Sequence, residues 1–222
     1  MDTKEYLQSV DYPGRIVAAG WDEDGRQMAF YAITGRSENS RNRILVSENG
    51  CIRTKAYDES KLTDPSLVIY AASKCIDDCL IVTNGDHTDT IYDYLKKGRS
   101  IEEALVSRTY EPDEPSFTPR IGSVIYSDHI LFFIIRRENG KPRRLLWRYE
   151  KENGVCHVIH TYEADGNPLP SFRGAPVRVD SSSDFLEEAW SALNPEYRVA
   201  AYLKTSAGER IINALEGKDG KA

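Results

Sequence analysis

Cys79-Leu80-Ile81-Val82-Thr83-Asn84-Gly85-Asp86-His87-Thr88-Asp89-Thr90-Ile91 is the stretch where this chain changes character. An apolar run, residues 79–83, reads as a buried strand and ends in a polar turn. An amphipathic stretch follows and predicts a helix over 88–97, with Gly98 as its C-cap. Ser100 caps a second helix, and Glu103 three residues later completes a capping box. The apolar positions of that helix, Ile101, Ala104 and Leu105, recur at helical spacing. A strand thus leads into a pair of helices, and the segments on either side decide how these layers stack.

Working upstream, residues 15–19 and 27–34 read as strands around Asp24-Gly25, and residues 42–47 and 51–56 flank the turn Glu48-Asn49-Gly50. Residues 67–72 read as a further buried strand. Downstream, strands are expected at 122–126, 129–136, 144–149 and 155–162, with turns at Asn139-Gly140 and Asn153-Gly154. Residues 165–176 hold several prolines and glycines and read as loop. Ser183 is expected to cap a helix through Trp190 and Leu193, and Asn194-Pro195 to start another. Residues 211–215 fit a last strand or helix. The order is strands, a helix pair, strands, a helix pair. Two antiparallel sheets stacked face to face, with helices outside, would bury every apolar face, so an α+β sandwich is expected rather than a doubly wound parallel sheet.

The chain has 222 residues and 40% hydrophobic content, enough for one sizeable core, and no linker divides it. One domain is expected over 1–222, with 1–11 as an N-terminal extension and 217–222 as a frayed tail. The net charge of -6 argues against a general nucleic-acid binder. The four cysteines are irregularly spaced and read as structural thiols, because no second close pair completes a metal site with Cys75 and Cys79. Residues 1–10 lack the basic start and apolar core of a signal peptide. The longest apolar run, 130–135, is too short to span a bilayer. A soluble cytoplasmic protein is the expectation, with no membrane partner.

Four features could carry chemistry. The turn at 83–91 offers a histidine, two carboxylates, hydroxyls and a helix N-terminus that favours an anion. Residues 36–43 carry Arg36, Arg41 and Arg43 against one glutamate, a basic island suited to phosphate or simply a solvated hairpin loop. Tyr70 sits in an apolar segment, where a buried phenol wants a partner, although a core tyrosine would look the same. Residues 110–120 form a proline-stiffened loop with Glu111, closed by Arg120. A carboxylate held near the interior can serve as acid or base, and an acidic surface loop is the alternative. No nucleotide P-loop, dinucleotide glycine fingerprint or nucleophile-elbow motif is present.

Taken together these stretches resemble the archaeal-type IMP cyclohydrolase family. The matching residues are Tyr12-Pro13-Gly14-Arg15, Arg36-Ser37 with Arg41 and Arg43, and Asp64-Pro65 leading to Tyr70. They continue with Asn84-Gly85 and His87-Thr88-Asp89-Thr90-Ile91, then Tyr110-Glu111 with Thr118-Pro119-Arg120-Ile121, and more weakly Thr161-Tyr162-Glu163. The resemblance implies a four-layer αββα sandwich like that of N-terminal nucleophile hydrolases. It also implies closure of 5-formamidoimidazole-4-carboxamide ribotide to IMP with loss of water, the last step of purine biosynthesis. Carried over residue by residue, it makes Glu111 the proton acceptor and Tyr70 the donor to the formyl oxygen. Arg36, Arg41, Arg43, Asn84, Gly85, His87, Thr88, Asp89 and Arg120 become substrate-binding. The partner is a purine ribotide, no nucleic acid, cofactor or metal is needed, and a homo-oligomer is left open. Competing expectations are a ribotide-binding protein without turnover, an amide hydrolase of related fold, and an RNA-binding module using residues 40–43.

Overall fold

The structure is a computed structural model that describes residues 1–62, 65 and 67–216. Among these, strands pair throughout in antiparallel fashion to form two sheets. The first sheet holds β1 (Arg15–Trp21), β2 (Gln27–Thr34), β10 (Val155–His160), β11 (Val177–Asp180), β12 (Arg198–Thr205) and β13 (Gly208–Asn213), in the order β11-β10-β1-β2-β12-β13. The second is a meander in chain order, from β3 (Arg43–Glu48), β4 (Cys51–Ala56), β5 (Ala71–Ile76) and β6 (Cys79–Thr83) to β7 (Arg120–Ile125), β8 (His129–Glu138) and β9 (Lys141–Glu150).

Alternation along the strands shows how the sheets stack. In β1, Val17, Ala19 and Trp21 enter a core shared with the second sheet, while Ile16 and Ala18 face the other way. In β2, Ala29, Tyr31 and Ile33 point inward, and Met28, Phe30 and Ala32 outward. The outward face is covered by α1 (Thr3–Gln8), through Tyr6 and Leu7, and by α5 (Phe185–Ala192), through Phe185, Leu186 and Ala189. The second sheet turns Leu80, Val82, Ile121, Phe132 and Ile134 inward. It turns Ile81, Val124, Phe133 and Ile135 toward α3 (His87–Lys96) and α4 (Ile101–Val106). Both faces of the central strands are therefore dry, while the edge strands β9 and β11 stay partly exposed, and each fully buried Ile, Val or Phe contributes about 1.5–3 kcal/mol. The expected α+β sandwich of two antiparallel sheets is present, with helices on the outer faces.

Several boundaries fall where the sequence places them. β2, β4 and β6 match to the residue, α3 stops before Gly98 in a left-handed conformation (φ +69°), and Ser100 and Glu103 make the reciprocal capping bonds of α4. Three expectations need correction. The strand expected at 67–72 begins only at Ala71, because the amides of Val68 and Ile69 turn back onto the Pro65 carbonyl. Asn194-Pro195 starts no helix. The Asn194 carbonyl takes the amides of Tyr197 and Arg198 in a single turn, and the following Val199-Ala200-Ala201-Tyr202-Leu203 is buried between β2 and β13 as β12. A helix there would leave one edge of β2 unpaired. Ser183 does not cap α5, since Asp184 occupies that position without a side-chain bond. The structure adds α1, β11 and a short helix α2 (Glu38–Arg41), none of them expected. Residues 217–222 and Asp64 lie outside the described residues.

Candidate active site

Arg15 opens β1 on the inner-facing register of that strand, and its Nη2 donates to Glu111 Oε2 at 3.2 Å. Glu111 belongs to the loop between α4 and β7 and is almost fully buried, with 3% exposure of its side chain. The loop closes on itself to present this carboxylate. The Glu111 amide bonds the Thr118 carbonyl at 2.9 Å, and the Thr118 amide bonds Asp113 Oδ1 at 2.6 Å. The Thr118 hydroxyl donates to Asp113, so the phenol of Tyr162 donates to Thr118 Oγ1. Tyr162 in turn stacks on Tyr12, and Gly14 packs so closely against the Tyr162 ring and Thr161 that a Cβ there would lie 2.2 Å from Thr161 Oγ1. That contact, with φ +72° at Gly14, explains the glycine before Arg15.

The two sheets also meet through a pair of phenols. Tyr31 of β2 and Tyr70, just ahead of β5, share a hydrogen bond of 2.6 Å between their hydroxyls, and both are buried. Tyr70 is held by its backbone, its amide donating to Thr54 Oγ1 at 2.9 Å while its carbonyl takes the Thr54 amide. Burial disfavours the Arg15 charge, but Glu111 and the phenols of Tyr162, Tyr70 and Tyr31 outweigh it, so the guanidinium stays protonated. Burial pushes the Glu111 carboxyl up to about 7, in spite of Arg15, Arg120 and Arg43. Burial, reinforced by Tyr70, holds the Tyr31 phenol well above the usual range against the pull of Arg15 and Arg43. Arg15 Nε is buried with no hydrogen-bond partner among the described residues.

The turn after β6 approaches the same carboxylate from the second sheet. A Cβ on Gly85 would sit 2.9 Å from Arg120 Nη1, 3.1 Å from His87 Nδ1 and 3.3 Å from Glu111 Oε1. The absence of a side chain therefore lets this backbone touch three functional groups at once. Arg120 Nη1 donates to Asp86 Oδ1 at 2.6 Å and to His87 Nδ1 at 3.1 Å, while Arg108 Nη1 donates to Asp86 Oδ2 at 2.8 Å. The anion at the start of α3 is thus the carboxylate of Asp86. Burial opposes its charge, but Arg120 and Arg108 overcome that and hold its pKa below the ordinary value. His87 accepts from Arg120 at Nδ1 and donates from Nε2 to the Ile121 carbonyl at 3.2 Å. Burial and Arg120 keep it neutral.

The remaining sequence candidates divide. Arg43 is buried, bonds the Ser40 carbonyl through Nε at 2.9 Å, and lies close enough for its charge to act on both Glu111 and Tyr31. Arg36 is at the rim, stacked over Tyr12 and paired with Asp165. Arg41 is exposed and lines a separate cleft with Tyr57, Asp58 and Lys61. The Asn84 side chain is spent on the Pro119 carbonyl and the Ile121 amide, clipping the turn to β7. Thr88 bonds Thr83 and the Gly85 carbonyl. Asp89 faces Lys74 at 2.6 Å. A cleft of 540 Å³ lined by Arg108, Tyr110, Phe117 and Arg120 flanks the loop that carries Glu111. Among the described residues no group of three or more His, Cys, Asp and Glu could hold a metal, and all four thiols are free.

Sequence reasoning assigns no role to Arg15, Tyr31, Tyr162 or Asp113, although Arg15 and Tyr162 stand in segments that carry the family resemblance. The signal that could have found Arg15 and Tyr31 is strand alternation, which puts 15 in register with 17 and 19, and 31 with 29 and 33. Tyr162 meets Thr118 from 44 positions away, whereas Asp113 bonds Thr118 inside its own loop.

Residues 12–210 match the family described as IMP cyclohydrolase-like protein. Proteins named IMP cyclohydrolase are similar to this chain. That of Methanopyrus kandleri is 41% identical over 156 residues, covering 68% of this chain and 75% of its own length. That of Methanothrix thermoacetophila is 29% identical over 178 residues, covering 78% and 85%. That of Methanosphaera stadtmanae is 32% identical over 118 residues, covering 51% and 57%.

Proposed function

The chain belongs to the IMP cyclohydrolase-like family, and from that premise we propose that it closes the second ring of 5-formamidoimidazole-4-carboxamide ribotide to give IMP and water. The observation that carries the reading is a buried carboxyl poised near neutrality, at about 7 for Glu111, beside a guanidinium and a glycine-lined turn. The reaction needs little more. The substrate's carboxamide nitrogen must attack its own formyl carbon, and holding the two groups in contact supplies much of the rate. Glu111 takes the proton from that nitrogen, and a pKa near the working pH suits a base that must also return the proton. Tyr70 donates to the formyl oxygen as it becomes negative, giving a hydroxyl on the new ring carbon. The C–O bond then breaks as Glu111 returns its proton to that hydroxyl, which leaves as water, while the former formamide nitrogen gives up its proton and restores Tyr70. Arg15 holds Glu111 in place and balances charge.

The turn at Gly85 packs its backbone against the carboxylate, Arg120 and His87, and Asn84, His87 and Thr88 hold that turn in shape by bonds already made. Arg43, and Arg36 at the rim, are the proposed phosphate contacts. The finer fold description, an N-terminal nucleophile hydrolase-like αββα sandwich in one domain, goes with this reading, as does a cytoplasmic location. No nucleic-acid partner is required. The test follows the absorbance change as the formamido ribotide becomes IMP, using the purified full chain. Turnover that falls about a hundredfold or more in Tyr70→Phe is expected of an acid–base group. No turnover by the parent protein, or undiminished turnover in Tyr70→Phe, would overturn the corresponding part of the proposal.

A further inference from the structure

The hydroxyl of Tyr31 has one hydrogen-bond partner among the described residues, the hydroxyl of Tyr70, at 2.6 Å. Tyr31 is completely buried at 0% exposure, so its proton cannot go to solvent. The charged groups facing it, Arg15 from β1 and Arg43 from β3, are cations and offer no acceptor. Either phenol can donate in this pair, and whichever does leaves the other's proton without a partner among the described residues. A substrate oxygen beside Tyr70 breaks the tie: once the Tyr70 proton turns to it, the proton of Tyr31 is the one left to donate to Tyr70.

We infer that Tyr31 is a positioning residue for the ring closure, fixing the direction in which Tyr70 presents its proton and stabilising the oxygen left behind when that proton moves toward substrate. This rests on the assignment of Tyr70 as donor. No bond to Tyr31 forms or breaks during turnover. As the Tyr70 O–H is drawn toward the formyl oxygen, negative charge grows on Tyr70 and the hydrogen bond from Tyr31 strengthens. The two rings are anchored in opposite sheets, Tyr31 by pairing with Val17 and Tyr202, Tyr70 by Thr54. The contact also fixes the spacing of the sheets at the site.

The test compares Tyr31→Phe with Tyr70→Phe in the full chain, measuring kcat and KM separately, with a melting curve as a check on folding. Tyr31→Phe is expected to lower kcat roughly tenfold to a hundredfold with KM within about twofold, because the bond from Tyr31 strengthens only in the transition state. A loss of packing alone would lower the melting temperature without confining the kinetic loss to kcat. If Tyr31→Phe does not fold, 3-fluorotyrosine at position 31 is a stronger donor of the same shape and should raise kcat about twofold or more with KM unchanged. Wild-type kcat in Tyr31→Phe, or an unchanged kcat with the fluorinated residue, overturns the inference. Wild-type kcat in Tyr70→Phe would instead remove the assignment on which it stands.

Discussion

Glu111 and Asp86 stand on either side of the Gly85 turn, both within reach of Arg120, and each is paired with arginine, yet their protons behave in opposite ways. Asp86 is half-exposed and gripped by two guanidiniums, and its pKa is lowered. Glu111 is almost fully buried with one arginine in contact, and burial raises its carboxyl to about 7. The attraction of a guanidinium does not by itself decide ionisation. Desolvation of the carboxylate competes with it, and the winner depends on how much water remains and how many donors replace it. One cluster is an anchor that stays charged. The other is a carboxyl that can exchange a proton near neutral pH.

The sharpest way to break that contrast is to remove the exchangeable proton. Glu111→Gln keeps the shape and should lower kcat about a hundredfold or more in the absorbance assay. Near-parental turnover would show that Glu111 belongs with Asp86 as an anchor. The same variant sharpens the comparison through stability. The Glu111 pKa is higher folded than unfolded, so its contribution is fully present below the ordinary value of 4.5 and is lost as pH rises through about 7. Denaturation at pH 5 and pH 8 should show the parent losing about 2–3 kcal/mol more than Glu111→Gln across that interval. Equal losses would mean that the carboxyl is ionised throughout.

Asp86 has the opposite sign. Its contribution is present above the ordinary value of 3.8 and fades as pH falls through its lowered folded value. Asp86→Asn should cost about 1 kcal/mol at neutral pH, a modest figure because water screens a half-exposed pair. Its kcat should fall far less than that of Glu111→Gln, and an equal fall would merge the two clusters into one catalytic unit. The smallest effect belongs to Arg41→Ala. Arg41 is exposed in a different cleft, so kcat and KM should both stay within about twofold of the parent. A large rise in KM would bring that arginine back to the substrate.

The two clusters were unequally legible. The Asp86 side announced itself, because Asn84-Gly85-Asp86-His87 between an apolar run and an amphipathic one is a local signal; its strand came out at 79–83 as read and its helix at 87–96, one residue earlier than the expected 88–97. The Glu111 side was visible only as a loop with a carboxylate. The partner that holds it lies 96 positions away, and the phenols that meet at the site are 39 positions apart. The Asn194-Pro195 expectation failed for a related reason. A proline after asparagine is a good helix start in isolation, but here one turn suffices before a buried segment must pair with β2.

What the chain determined by itself was the alternation of its strands, the turns and caps between them, and the stacking of two antiparallel sheets under helices, since these follow from periodicity and backbone geometry over a few residues. Tertiary structure alone decided which carboxylate keeps a proton. That depends on how many charges and how much water surround it in three dimensions, and segments far apart in sequence supply both.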